Sequence, residues 1–171
     1  ELSIKNKKVE KIIDNILLKL FIYDEYYLGN INGNLKIKFD ELDNKLIKSG
    51  EINLSINERE IYLKKATFII DKIGEINSEI SFFENNGDII FSSKNHLKIK
   101  NHIEFAKVFQ IGSNKIKKIK DIYFNLEKNI GDTDFSISNV RIDNSTKNFS
   151  KEIFLVRNIQ NLRTYIRNII D

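Results

Sequence analysis

The 171 residues carry 28 Lys and Arg against 24 Asp and Glu, a net charge of +4, with 41% hydrophobic and 30% charged side chains. That balance is globular rather than disordered, the length suffices for a self-sufficient core, and so mild a charge demands no polyanionic partner. The absence of Cys removes disulfides, thiolate nucleophiles and Cys-ligated metal centres, and no apolar run reaches the roughly 18 residues of a membrane-spanning helix.

In chain order, the first element is a helix predicted over residues 6–22, NKKVEKIIDNILLKLFI. Val9, Ile12, Ile13, Ile16, Leu17 and Leu20 follow the i, i+3, i+4 rule, with Lys and Asp on the far side. From Tyr27 to Asp143 the period changes to two, in runs rich in Ile, Leu and Phe separated by Gly, Asn and Asp. The predicted strands are GNLKIKF, GEINLSIN, REIYLKKATFII, GEINSEISFF, GDIIFSS, HLKIKNHIEF, KDIYFNLE and TDFSISNVRI.

The clearest turn is Asn85-Asn86-Gly87-Asp88, where Asn-Gly supplies the two positive-φ positions of a type I′ hairpin. With Asn86-Gly87 as the loop, Phe82 lies opposite Phe91, Phe83 opposite Ile90 and Glu84 opposite Ile89. Both sides of this hairpin are then apolar, and the side that does not join the common apolar surface needs cover, for which a terminal helix is the simplest candidate. A second amphipathic helix is predicted over residues 150–170. Ser150 is its N-cap and Glu152 its first-turn acid, with Leu155, Ile159, Leu162, Ile166 and Ile169 on one face. No flexible linker interrupts the chain, so residues 1–171 read as a single domain, mainly β (α+β): an antiparallel sheet with amphipathic helices at its N- and C-terminal ends.

Residues suited to catalysis are scarce. His96 and His102 share a predicted strand parity with Lys98 and Lys100, while Leu97, Ile99 and Ile103 point the other way; histidines among lysines on a wet face make poor metal ligands. Acid pairs such as Asp40 and Glu41, or Asp132 and Asp134, lie in expected turns, where acids are ordinary. The basic run Lys115–Lys120 lacks interleaved aromatics and reads as the guard of a sheet edge rather than as a nucleic-acid site. The seven glycines form no phosphate-cradling cluster. The expectation is a protein that is not an enzyme and has no cofactor, no metal and no nucleic-acid partner.

What remains is the alternation. A half-apolar sheet packs against another layer, pairs with a partner, or stays open as a groove for an apolar ligand. The succession from Gly29 to Ile80, GNINGNLKIKFDELDNKLIKSGEINLSINEREIYLKKATFIIDKIGEINSEI, and its continuation to Asn144 resemble the AsmA-like bacterial envelope proteins, related to TamB. In these, Gly-started strands with G-x-I-x-L-x-I runs build a long curved antiparallel sheet.

The resemblance implies a C-terminal fragment of a Gram-negative periplasmic protein, held in the inner membrane by a segment absent from this chain. Such a protein carries phospholipid towards the outer membrane, and its C-terminal helix could meet an envelope protein partner. On that reading Ile52, Leu54, Ile56, Phe68, Ile70, Ile80, Phe82, Phe91, Leu97, Ile99, Ile122 and Phe124 floor a groove for phospholipid or another acyl-chain ligand. Each buried CH₂ there gains about 0.8 kcal/mol without any hydrogen bond. The alternative is a structural or partner-binding β module in which the same face is a closed core without ligand.

Overall fold

The computed structural model describes residues 2–5, 32–40, 47–57, 60–112, 119–129, 132–143 and 153–170. The chain divides into two compact units, Glu1–Asp71 and Lys72–Asp171. Both are built mainly of antiparallel β-structure, as the period-two patterning predicts. The expected N-terminal helix, 6–22, lies outside the described residues.

In the first unit, β1 (Leu2–Lys5) runs parallel to β2 (Gly33–Asp40), which pairs antiparallel with β3 (Ile47–Asn57), and β3 with β4 (Glu60–Ile70). Strand β1 was not expected from the pattern, since four residues are too few to display a period. Residues directly opposite in a ladder share a face. The pairs Leu35 with Leu54, Ile37 with Ile52, and Ile52 with Ala66 therefore set one apolar side. Lys36, Lys38, Glu51 and Asn53 occupy the other by alternation. Gly50 sits opposite Phe68, and a Cβ added to it would come 2.7 Å from the Phe68 ring, so the phenyl group occupies the space that a side chain at position 50 would fill.

The second unit begins with β5 (Gly74–Asn85) and β6 (Asp88–Ile99), joined by the Asn86-Gly87 turn at φ 53° and 87°. Phe82 pairs with Phe91, Phe83 with Ile90 and Glu84 with Ile89, the register that the turn chemistry predicts. The predicted strand HLKIKNHIEF divides instead. Its first residues extend β6 to Ile99, and His102–Phe109 forms a helix, α1. The Ile73 carbonyl accepts from both the Lys100 and Asn101 N–H groups, which ends the ladder. Asn101 Oδ1 then accepts from the N–H groups of Ile103 at 3.1 Å and Glu104 at 3.2 Å, which starts the helix.

Beyond α1, β7 (Asp121–Asn129) pairs with β6, β8 (Phe135–Ile142) with β7, and β9 (Phe154–Val156) with β8, all antiparallel. The C-terminal helix, α2, spans Ile159–Ile170 and so starts later than the 150–170 expected. Phe154, Leu155 and Val156 are spent on the ladder with β8, and the effective cap is Asn158, whose Oδ1 accepts from Asn161 N–H at 2.9 Å. Helix α2 packs on α1 and β9: Arg163 Nε donates to the Val108 carbonyl at 2.8 Å, and Tyr165 stacks on Phe154 with centroids 4.4 Å apart. Phe154 lies opposite Ile137, so α2 reaches the apolar side of this sheet. It leaves the outer side of the hairpin, where Phe83 is 47% exposed, without the cover expected there.

Candidate functional site

The expected groove residues fall on consistent faces within each unit. In the second, the pairs Leu97 with Ile122, Gly74 with Ile99, Phe82 with Phe91, Ile80 with Ser93, and Asn95 with Phe124 place Ile80, Phe82, Phe91, Leu97, Ile99, Ile122 and Phe124 on one side. Leu97, Ile99 and Ile122 are buried at 6%, 6% and 2% exposure, together with Ile137, Val140 and the helix residues Phe105, Ala106 and Phe109. Ile80, Phe82, Phe91 and Phe124 are half-buried. In the first unit Ile52 and Leu54 are 3% and 1% exposed, and Phe68 and Ile70 are half-buried. Ile56 pairs with Gly33 and Ile61 in the same ladder. Of the expected groove residues, Ile52, Leu54, Leu97, Ile99 and Ile122 are thus buried, and the others with a described side chain are half-buried.

A polar cluster interrupts the second unit's apolar face. Ser78 and Asn95 sit opposite each other, and Ser78 Oγ donates to Asn95 Oδ1 at 2.6 Å. Asn95 Nδ2 donates to Ser93 Oγ at 2.9 Å and to the Ser93 and Phe124 carbonyls at 3.2 and 3.3 Å. All three side chains are buried, and the hydrogen bonds among them offset the desolvation that would otherwise destabilise the sheet. Sequence reading missed this group, although its signal was present: Ser78, Ser93 and Asn95 occupy inward parity in otherwise apolar strands.

The opposite side of the same sheet carries the most organised constellation of side chains. Asp143, at φ 48°, accepts through Oδ1 from the backbone N–H groups of Lys120 and Asp121, both at 2.8 Å, and its own N–H donates to the Asp121 carbonyl at 2.7 Å. This clamps the start of β7. The Asp121 carboxylate then lies 2.6 Å from His96 Nε2. Its oxygens only accept when ionised, so the nitrogen facing it is the protonated one. His96 stacks on its cross-strand neighbour Tyr123, centroids 4.3 Å apart and planes 11° from parallel. From β8, Arg141 lies over the same ring at 4.5 Å, opposite Tyr123 in the ladder. Asn139, at φ 52°, falls in the irregular stretch of β8 that lets Arg141 and Ser138 both face this side.

His102, expected to share this face, belongs to α1, and Ile103 beside it is 68% exposed. Among the described residues no three His, Cys, Asp or Glu side chains gather as a metal site. Carboxyl groups with lowered pKa owe it to lysines: Glu75 to a hydrogen bond from Lys100 at 2.7 Å, Glu104 to one from Lys107 at 2.7 Å, and Glu51 to Lys36 and then Asn53. These are ion pairs at the surface. An open concavity of about 440 Å³ lies between Ile90, Asn129, Leu155 and the Asp132–Asp134 loop, where Arg157 Nε meets Asp134 at 3.1 Å. Another, about 370 Å³, lies along Lys38, Glu51, Thr67 and Ile69. Neither is lined by the expected groove floor. Among the described residues no helix is long and apolar enough to cross a membrane.

No protein-family model matches the chain, and no solved structure matches it. Over 127 residues, 67% of the chain, it is 30% identical to a protein of Agaricus bitorquis described as a probable DNA-directed RNA polymerase. The chain spans 11% of the length of that relative.

Proposed function

We propose that the chain is a non-catalytic β module of a larger protein, with its apolar faces serving as cores and its polar faces left for a partner. The observation that supports this reading is burial. Leu54, Ile52 and Ile122, expected to floor a groove, are between 1% and 3% exposed, and an acyl chain cannot lie on a surface that other atoms already cover. The similarity to a probable RNA polymerase, of which the chain matches a small part, favours a larger protein of that kind as the host.

A second reading keeps the AsmA-like lipid groove. It is favoured by Ile80, Phe82, Phe91 and Phe124, which continue the apolar face and stay half-exposed.

One substitution pair separates the two. In a closed core Leu54→Asp buries an unpaired charge, and the protein is not recovered folded, whereas Phe82→Asp hydrates and folds. In a groove both variants fold and lose the capacity to extract phospholipid from vesicles. A folded Leu54→Asp variant, or lipid extraction by the wild-type chain, would overturn the module reading.

A further inference from the structure

We infer that Asn86 is a modification site: its side-chain amide deamidates spontaneously through a cyclic imide with the Gly87 nitrogen, at a rate set by opening of the β5–β6 turn. This goes beyond the module reading and does not depend on it. The chain holds two Asn-Gly pairs, Asn32-Gly33 and Asn86-Gly87. Attack on an asparagine side chain by the following backbone nitrogen is fastest before Gly, because no Cβ crowds the nucleophile. At the hairpin Asn85, Asn86, Gly87 and Asp88 are all exposed, and even a Cβ added to Gly87 would meet nothing within 4 Å. Asn85 and Asp88 close the ladder, and among the described residues the Gly87 N–H donates to no backbone acceptor. Gly33, by contrast, stands opposite Ile56 within the β2–β3 ladder.

The closed turn holds the reaction back. Asn86 has φ 53° and Gly87 φ 87°, as in the mirror-image turn whose first loop residue has ψ about +30°. At that ψ the Gly87 nitrogen is nearly anti to the Asn86 Cβ, whereas closing the five-membered ring needs the two nearly eclipsed. The turn must open first. That opening is local and breaks little packing, since Phe83 is 47% exposed and Phe82 and Phe91 are only half-buried. Once it opens, the deprotonated Gly87 nitrogen attacks Asn86 Cγ. The N–Cγ bond forms, the Cγ–Nδ2 bond breaks, and the amide leaves as ammonia, taking up the proton that the nucleophile gave to solvent. Water then opens the imide. Cleavage at Cγ leaves an aspartate, and cleavage at the main-chain carbonyl leaves an isoaspartate, whose backbone runs through Cβ. The net change consumes one water and releases one ammonia. Either product carries a new carboxylate beside Asp88, and the isoaspartate adds a backbone carbon to a two-residue loop, which can no longer set the register of Phe82 with Phe91.

The test is peptide mapping by mass spectrometry of the full 171-residue chain aged in mildly alkaline buffer, folded and in urea, with electron-transfer fragmentation to tell aspartate from isoaspartate. Asn86 is expected to convert in the folded chain ahead of Asn32, and several-fold more slowly than in urea. Asn95, buried and held through its Nδ2 by Ser93 and Phe124, should stay intact in the folded chain. Phe91→Ala removes the ring that meets Phe82 beneath the turn, and should speed conversion several-fold in the folded chain while leaving the rate in urea unchanged. Gly87→Ala should slow conversion many-fold in urea, where its effect on the turn plays no part. The inference is overturned if Asn86 is unconverted in the folded chain by the time the chain in urea is fully converted, or if Asn32 converts first. Equal rates with and without urea, or an unchanged folded rate in Phe91→Ala, would likewise overturn it. None of these outcomes bears on whether Leu54→Asp folds, so the module reading stands or falls separately.

Discussion

The two ends of the second unit's sheet have the same alternating chemistry and opposite fates. At the base, where β5 begins and β6 runs into α1, Leu97, Ile99, Ile122 and Val140 are buried and Phe105 is fully enclosed. At the tip, Phe82 and Phe91 meet edge to face at 5.5 Å but remain half-exposed, and Phe83 on the other side is 47% exposed. Between them sits the Ser78–Asn95–Ser93 cluster. Alternation decides which residues share a face; a second layer decides which of them become core.

The sharpest way to break this contrast is to truncate an aromatic residue at each end. Phe105→Ala should cost about 3–5 kcal/mol, because its cavity is closed on all sides. Phe83→Ala should cost well under about 1 kcal/mol, since much of that ring is already in water. Equal shifts in urea midpoint would mean that the base is no better packed than the tip.

The boundary between the ends is open to a smaller test. Asn95→Ala leaves the Ser78 hydroxyl and the Phe124 carbonyl without their buried partner, and should destabilise by about 1–3 kcal/mol. Ser78→Ala together with Asn95→Ala should cost less than the sum of the two single changes, because the shared hydrogen bond is lost only once. Strict additivity in a double-mutant cycle would show that the cluster is not a unit.

At the tip itself, Gly87→Val should cost about 1–2 kcal/mol. A Cβ there meets nothing within 4 Å, so the whole effect is the strain of a β-branched residue at φ 87°. An unchanged melting midpoint would show that the turn tolerates another geometry.

The smallest effect is that of pH, and it belongs to the base. Glu75 and Glu104 are held below the usual 4.5 by Lys100 and Lys107. A carboxyl whose folded pKa is depressed contributes stability that is present above its unfolded value and lost as pH falls through the folded one. The melting midpoint should therefore decline as pH drops below about 4.5, only slightly because both pairs are exposed, and Lys100→Gln with Lys107→Gln should flatten that decline.

The amino-acid sequence by itself determined the antiparallel strands, the faces their residues share and the hairpin register, because each rests on interactions between near neighbours. A two-residue Asn-Gly turn admits one pairing, so Phe82 meets Phe91 and Phe83 meets Ile90 whatever the rest of the chain does. Even the errors had local signals. Asn101 followed three residues later by Glu104 marks a helix start inside the predicted strand HLKIKNHIEF, and Asn158 caps α2 where Ser150 was expected to. Tertiary structure alone decided the rest. Phe154–Val156 leaves its helical pattern because a free edge of β8 offers hydrogen bonds that three residues of helix cannot match. His96, Asp121, Tyr123 and Arg141 come from three strands spread over 46 positions, and only the ladder brings them into one row. How deeply Leu54 is covered, at 1% exposure, was likewise absent from the pattern, since an apolar face reads the same in sequence with or without a layer on top of it.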